Sequence, residues 1–238
     1  MTKRPALRIG PARYAAWRAT ALGDTTEALE QQLILGLVGE LPGRDVLDAG
    51  CGDGTLVCAL ATRGATVTGV DADPAMLSAA RSRAGAASLT ATFVEGRVER
   101  LPLPDASFDV VVAVAVLCFV PDPASALREL TRVLRPGGRL VVGELGRWST
   151  WAAIRRVRGW RGSPTWRAAH FRTASELRAL AEQAGVTVEA VRGAIYYPPL
   201  GLAARALAPL DARLGQLTTI GAAFVAVAGT REPGPIAG

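Results

Sequence analysis

The sequence predicts an α/β fold in which helices flank a mostly parallel sheet of seven strands. Short apolar runs alternate with helical patterns along most of the chain, which is typical of parallel strands joined by crossover helices. The run from Phe108 to Val116 is almost continuously apolar, as expected for a parallel strand covered on both faces. A length of 238 residues exceeds the usual ~100–200 per domain, but one α/β domain accommodates it. We therefore expect a single domain over residues 1–238.

The N-terminal part combines a basic arm with a helix. The arm, residues 1–23, contains arginines and no acid, together with Tyr14 and Trp17. Asp24 is predicted as the N-cap of the helix, with Glu27 as its capping-box partner. Leucines at every fourth position then predict one buried stripe, and they are Leu29, Leu33, Leu37 and Leu41.

A glycine-rich turn follows the first predicted strand. The apolar run at 46–47 ends in Asp48, glycines then occupy every second position from 50 to 54, and a helix is predicted from Thr55. Glycines let the backbone take unusual dihedral angles and let a ligand approach closely. The N–H groups of such a turn favour an anionic or electron-rich group. Asp71 ends the next apolar run, where a carboxylate can accept hydrogen bonds from ribose hydroxyls.

The later elements follow from caps, prolines and apolar runs. Helices are predicted to begin at Asp73-Pro74, at Asp122-Pro123 and at the capping box Thr173 to Glu176. The remaining strands are predicted at 91–95, 139–145, 186–191 and 222–228, followed by a loose tail at 231–238. Residues 195–209 are apolar but contain prolines, and no helix or strand is predicted there.

Four motifs occur in order along the chain: Asp48-Ala-Gly-Cys-Gly-Asp-Gly54, Gly69-Val-Asp-Ala-Asp-Pro-Ala-Met-Leu77, Leu101-Pro-Leu-Pro-Asp-Ala-Ser-Phe-Asp109 and Arg132-Val-Leu-Arg-Pro-Gly-Gly-Arg-Leu140. This arrangement resembles the class I S-adenosylmethionine (SAM) dependent methyltransferases, of the small-molecule type similar to the ubiquinone/menaquinone C-methyltransferases. The resemblance implies a Rossmann-like sheet, a helical lid formed by the arm, SAM as cofactor and S-adenosylhomocysteine as product.

The resemblance also implies which residues bind the cofactor. Gly50, Gly52 and Gly54 would lie under its methionine and ribose parts, Asp48 would orient the ammonium, and Asp71 would hold the ribose. The other positions that it places in this site are Cys51, Ala72, Met76, Arg97, Val98, Ala113 and Val114.

One of these positions departs from the family pattern. An acid is usual at the place of Arg97, and an arginine has no hydrogen-bond acceptor for the adenine amino group. Either the Val98 backbone serves alone, or Glu99 substitutes. Met76 has two interpretations, a contact to adenine or a core residue.

No catalytic residue is certain, because methyl transfer depends mainly on positioning two reactants. The candidates are His170, Glu144 and Tyr14. His170 is the only histidine and could act as a base, although a surface histidine is the alternative interpretation. Residues proposed to line the acceptor site are Tyr14, Trp17, Glu144, Trp151, His170 and Tyr196.

A Trp/Arg-rich segment, residues 147–172, is inserted before the last predicted helix. It holds four of the five tryptophans and seven arginines, without any acid. Trp151, Ile154, Val157 and Trp160 are spaced to share one helix face. The segment could form a lid helix with solvated arginines, hold an anionic acceptor, bind RNA, or contact a membrane surface to collect a lipid-like acceptor.

The sequence thus predicts SAM-dependent methyl transfer to a small acceptor, apolar or anionic. An RNA-modifying methyltransferase or RNA-binding module is the alternative, which a net charge of +6 permits. An NAD-dependent oxidoreductase is disfavoured, since residue 55 is threonine where G-x-G-x-x-G needs glycine. The three scattered cysteines predict reduced thiols and no metal site. With no apolar run longer than 11 residues, Val110 to Val120, and no visible signal peptide, we expect a cytoplasmic protein without a transmembrane segment.

Overall fold

A computed structural model describes residues 10–233 of the chain. The strands are β1 (Asp45–Ala49), β2 (Thr66–Asp71), β3 (Ala91–Glu95), β4 (Phe108–Val114), β5 (Leu134–Leu145), β6 (Val186–Ala194) and β7 (Phe224–Arg231). They form one sheet in the order β3-β2-β1-β4-β5-β7-β6. The pairs among β1 to β5 are parallel, and β7 runs antiparallel to both β5 and β6. This confirms the predicted Rossmann-like, mostly parallel sheet.

Helices cover both faces of the sheet. They are α1 (Pro11–Arg18), α2 (Ala21–Val38), α3 (Thr55–Ala61), α4 (Pro74–Ala86), α5 (Pro123–Val133), α6 (Thr150–Trp160), α7 (Pro164–Ala168), α8 (Ala174–Gln183) and α9 (Gly201–Leu217). One apolar cluster joins the sheet to α2, α3 and α9, and a second joins the opposite face to α5 and α8. Because the glycine-rich turn links β1 to α3, it lies where the carboxyl ends of the parallel strands leave the core.

The start of α2 differs from the prediction. Thr20 is the N-cap, and its hydroxyl accepts a hydrogen bond from the Gly23 amide at 3.0 Å. The helix therefore begins three residues before Asp24, which lies in its first turn. The predicted Asp24–Glu27 capping box is wrong, because the chain turns directly from α1 into α2. A Cβ at Gly23 would overlap the Trp17 carbonyl, so glycine permits this close turn.

Most of the other predicted helix starts are confirmed. Asp73 caps α4 by accepting from the Ala75 amide at 2.9 Å, and Thr173 and Glu176 form the predicted capping box of α8. The Trp/Arg-rich segment forms α6 and α7 ahead of α8. Arg231 belongs to β7 and not to the tail, and the predicted arm and tail residues 1–9 and 234–238 lie outside the described part of the chain.

Helix α9 was not predicted. Pro198 and Pro199 precede it, and Pro209 lies inside it. The buried carboxylate of Asp211 accepts hydrogen bonds from the amides of Ile195 (2.9 Å) and Tyr196 (3.0 Å). These bonds tie α9 to the chain leaving β6 and compensate for the proline in its interior. No helix within residues 10–233 is long and apolar enough to cross a membrane.

Candidate active site

The three glycines of the turn after β1 have different tasks. Gly50, Gly52 and Gly54 have φ angles of 83°, 54° and 78°, which side chains rarely allow. A Cβ at Gly50 would overlap Val116, and one at Gly54 would overlap Ala80, so these glycines permit close packing. At Gly52 a Cβ would meet nothing within 4 Å. Gly52 is therefore the glycine whose missing side chain leaves open space beside the turn.

Asp71, at the end of β2, fixes the shape of this turn. Its Oδ2 accepts from the Gly52 amide at 2.9 Å, and its Oδ1 accepts from the Asp73 amide at 2.8 Å. Partial burial raises the pKa of Asp71, and these N–H groups oppose the rise. A carboxylate offers about four acceptor positions, so two remain for hydroxyl groups such as those of a ribose.

Asp48, at the end of β1, carries a carboxylate that lacks a full set of partners. Its side chain is buried, with the residue only 2% exposed, and Oδ2 has no hydrogen-bond partner among residues 10–233. Burial, and then the charge of Asp71, raise its pKa to about 7. An unpaired buried carboxylate is costly unless a positive group joins it, so Asp48 fits the ammonium of an amino acid.

Asp53 ties the N-terminal helix to the turn. Arg18 of α1 donates Nη1 to Asp53 Oδ1 at 2.9 Å and Nη2 to Oδ2. Arg83 of α4 donates to the same carboxylate at 2.9 Å, as does the Thr55 hydroxyl. Burial alone would raise the pKa of Asp53, but these bonds outweigh it and hold the pKa below its ordinary value. Arg18 and Asp53 were not predicted as residues of the site, since no local pattern links residues 35 positions apart.

Position 97, where the sequence departs from the family pattern, lies beside two possible partners for adenine. The Arg97 side chain is exposed and forms an ion pair with Glu99 at 2.6 Å. An ion-paired carboxylate keeps acceptor positions free, so Glu99 and the backbone of buried Val98 both stay predicted partners of the adenine amino group. Met76 is half-buried in the first turn of α4, and Ala72 is exposed before it.

The end of β4 is bent toward the turn. Ala113 is fully buried, Val114 is half-buried, and the next residue, Ala115, has a φ of 50°. A non-glycine residue in this conformation costs roughly 1–3 kcal/mol and persists where the surroundings impose it. The bend places Val116 against Gly50 and so joins β4 to the floor of the turn.

Tyr14, Trp17 and Glu30 form the wall contributed by α1 and α2. The Tyr14 ring lies 5.8 Å from that of Trp17 and 4.8 Å from the Arg18 guanidinium carbon. Burial, and then the charges of Glu30 and Glu27, raise the pKa of Tyr14, so its phenol stays protonated near neutral pH. Burial raises the pKa of Glu30 to about 7. Glu30 was missed because it lies within the leucine pattern of α2, where an acid indicates a solvated face.

The Trp/Arg-rich segment contributes the opposite wall. The Arg155 guanidinium lies between two indole rings, 5.0 Å from the centroid of Trp151 and 4.8 Å from that of Trp166. Trp151 is buried, and its Nε1 donates to the Tyr197 carbonyl at 2.9 Å. The other members of the predicted helix face are exposed, so only Trp151 of that face is buried; they are Ile154, Val157 and Trp160.

Glu144 and Cys118 are packed beneath these walls. Both are fully buried, and Arg172 donates to Glu144 at 3.4 Å. Burial raises the pKa of Glu144 to about 7, while Arg172 opposes the rise. Burial also raises the pKa of the Cys118 thiol. Within the described residues all three cysteines are free, and no group of three or more side chains could hold a metal ion.

His170 and Tyr196 lie apart from this arrangement. The His170 side chain is exposed, and only its backbone amide contacts the packed layer, by donating to the Cys118 carbonyl at 2.8 Å. The Tyr196 hydroxyl donates to the Thr218 carbonyl, on the chain that follows α9. The structure therefore gathers Tyr14, Trp17 and Trp151 around the site, but not these two candidates.

Comparison with known proteins identifies the family of the chain. A family model described as "Methyltransferase domain" matches residues 47–142. An uncharacterized protein of Mycobacterium tuberculosis is 36% identical over 192 residues, which cover 81% of this chain and 63% of that protein, so the chain spans less than two thirds of its length. A ubiquinone biosynthesis O-methyltransferase of Alkalilimnicola ehrlichii is 34% identical over 170 residues, 68% of each chain.

A solved structure extends the likeness to nearly the whole chain. It is a SAM-dependent methyltransferase of Thermotoga maritima, a "possible histamine N-methyltransferase", with a TM-score of 0.71 and 26% identity. The match covers 93% of this chain and 96% of that one. The predicted SAM cofactor is thereby confirmed for the family, and the NAD and RNA alternatives are not favoured. The chain belongs to the class I SAM-dependent methyltransferases.

Proposed function

We propose that this protein transfers the methyl group of SAM to a small-molecule acceptor, mainly by holding the two in line. The observation that carries the proposal is the buried, unpartnered Oδ2 of Asp48 beside a turn that Asp71 shapes and Gly52 leaves open. SAM, when bound, supplies a methyl group already activated on a sulfonium. Correct placement of two reactants can lower the activation free energy by ~7–11 kcal/mol.

Each residue of this arrangement has a separable task. Asp48 holds the positive ammonium, and Asp71 accepts from the ribose hydroxyls while fixing the turn. Helix α1 covers the turn through the ion pair of Arg18 with Asp53. Where the acceptor atom carries a proton, Glu30 is the group whose pKa, about 7, suits a general base.

The walls of the site suit a small acceptor better than RNA. Single-stranded RNA binds by stacking its bases on free aromatic faces. Trp151 and Trp166 instead hold the Arg155 guanidinium between them, so these faces are occupied. Trp148 and Trp160 are exposed, at 64% and 80%, and are not among the rings that contact Arg155. We therefore place a small molecule between α1, α2 and α6.

Two experiments test this function. Isothermal titration should give binding of SAM and S-adenosylhomocysteine and none of NAD; the reverse result would overturn the cofactor assignment. Incubation with SAM labelled in its methyl group, with a cellular small-molecule extract or with bulk tRNA, should label small molecules alone. Label in tRNA and not in the extract would overturn the acceptor class. Fractionation of cells that carry the tagged chain tests the expected cytoplasmic location.

A further inference from the structure

Arg155 is a guanidinium held in place without a hydrogen-bonding partner. It is half-buried between the rings of Trp151 and Trp166, yet it makes no hydrogen bond or ion pair with any residue from 10 to 233. The other three arginines described around the site have partners, since Arg18 and Arg83 pair with Asp53 and Arg172 pairs with Glu144. The donors of Arg155 are therefore the free ones in the walls of the site.

The surroundings of Arg155 place it on the acceptor side. Burial lowers its pKa, and the charges that oppose this come from Glu30, Cys118 and Tyr14, which belong to the site described above. Glu30 is near enough to influence Arg155 but forms no ion pair with it. The carboxylate on α2 therefore leaves the N–H donors of the guanidinium on α6 free.

Two indoles determine what this guanidinium can bind. Cation–π contacts to both rings attract the guanidinium and restrict its position. Neither ring accepts a hydrogen bond from the group, so its N–H donors remain available. An edge of paired N–H donors matches the two oxygens of a carboxylate or phosphate, which it binds in a bidentate manner. A lysine at this position would not offer the same fork.

We propose that Arg155 binds an oxyanion group of the methyl acceptor, a carboxylate or a phosphate, and so selects acidic acceptors. This inference rests on the proposed function, since it assumes that the acceptor lies between α1, α2 and α6. The contrary expectation is that a cationic amine, attracted by Glu30, binds in the region between Glu30 and Arg155. Both can be compared with small aromatic probes that differ only in charge.

The experiment is isothermal titration of protein saturated with S-adenosylhomocysteine, with benzoate, phenyl phosphate, benzamide and benzylamine as probes. We expect one oxyanion to bind at least about tenfold more tightly than benzamide, as charged hydrogen bonds imply, and the tighter of the two identifies the group. Arg155→Met should weaken that binding at least about tenfold. Arg155→Lys keeps the charge without the fork and should weaken it less.

Arg161→Met is the matched control, because Arg161 is exposed just after α6 and forms no side-chain bond with the described residues. It should change oxyanion affinity less than about twofold. All variants should retain the affinity for S-adenosylhomocysteine, which also reports that they fold. The inference is overturned if neither oxyanion binds, if benzamide or benzylamine binds as tightly, or if Arg155→Met has no effect. Failure of the wild-type protein to bind S-adenosylhomocysteine would instead contradict the proposed function.

Discussion

Asp48→Asn should change the stability of the free protein and its cofactor affinity in opposite directions. The pKa of Asp48 is raised from 3.8 to about 7, so the folded protein holds this proton more tightly than the unfolded chain. Ionisation in the folded state therefore destabilises the fold progressively as pH rises from 3.8, and the effect is complete above about 7. Asparagine removes this cost but also removes the negative charge that we propose as the partner of the SAM ammonium.

The magnitude follows from the shift. Each pKa unit corresponds to about 1.4 kcal/mol, so between pH 5 and pH 8 the ionisation cost grows by about 3 kcal/mol. The melting temperature of Asp48→Asn relative to wild type should thus rise by several degrees over that interval, at roughly 2–4 °C per kcal/mol for a chain of this size. Cofactor affinity at pH 8 should fall by ~1.5–3 kcal/mol, the value of a hydrogen bond to a charged group.

Thermal denaturation without ligand, at pH 5 and pH 8, together with titration of S-adenosylhomocysteine at pH 6 and pH 8, measures both effects. Wild-type affinity should rise about tenfold between pH 6 and pH 8 as Asp48 ionises, and the variant should lose this dependence. Asp71→Asn is a second test, since it removes the charge that helps to raise the pKa of Asp48 and should therefore shift the dependence of stability on pH toward lower pH. If the difference in melting temperature between Asp48→Asn and wild type is the same at both pH values, the claim that the Asp48 carboxylate lacks a partner is refuted.

Three further substitutions separate the parts of the site. Arg18→Met should lower the free energy of unfolding by only about 1–3 kcal/mol, because Asp53 keeps its bond to Arg83. Limited proteolysis should cut α1 faster in this variant, and unchanged cleavage would contradict the claim that Arg18 ties α1 to the turn. Asp71→Ala should weaken SAM binding by ~1.5–3 kcal/mol in titration, and an unchanged affinity would show that the ribose contact is misplaced. His170→Ala should leave SAM affinity and turnover unchanged, whereas complete loss of turnover would make His170 a base.

The strand ends and the glycine turn of the proposed cofactor site were predictable because their signals are local. Asp48 and Asp71 each end an apolar run, and parallel neighbouring strands bring such ends together without any further information. The glycines between them are needed for the turn of the backbone, and their spacing at every second position predicts that turn. Caps such as Asp73 and Thr173 are equally local, since the cap and the amide it bonds lie within three residues. These features were read from neighbouring residues alone.

The acceptor side was not predictable from such patterns. Arg18 lies at the end of α1 and Asp53 lies just before α3, and only tertiary packing brings the two side chains together. From the helix pattern, Glu30 is predicted as a solvated acid and Arg155 as a solvated base. In the structure, α2 and α6 turn both side chains toward the interior. Pro209 argued locally against a helix, and packing of α9 on the sheet overrode it.

The charges around the glycine turn form one unpaired group and one paired group. On the strand side, Asp48 and Asp71 place two carboxylates, of which Asp48 lacks a positive partner. On the helix side, Arg18 and Arg83 contact the carboxylate of Asp53, and Arg18 also contacts that of Glu27 at 3.2 Å, so two positive charges meet two negative charges. The uncompensated charge beside the turn is therefore negative, which in the proposed function suits the ammonium of SAM. Without Arg18, Asp53 and Glu27 would share Arg83 alone and the helix side would become negative as well. Helix α1 thus keeps Asp48 distinct as the place for a positive group.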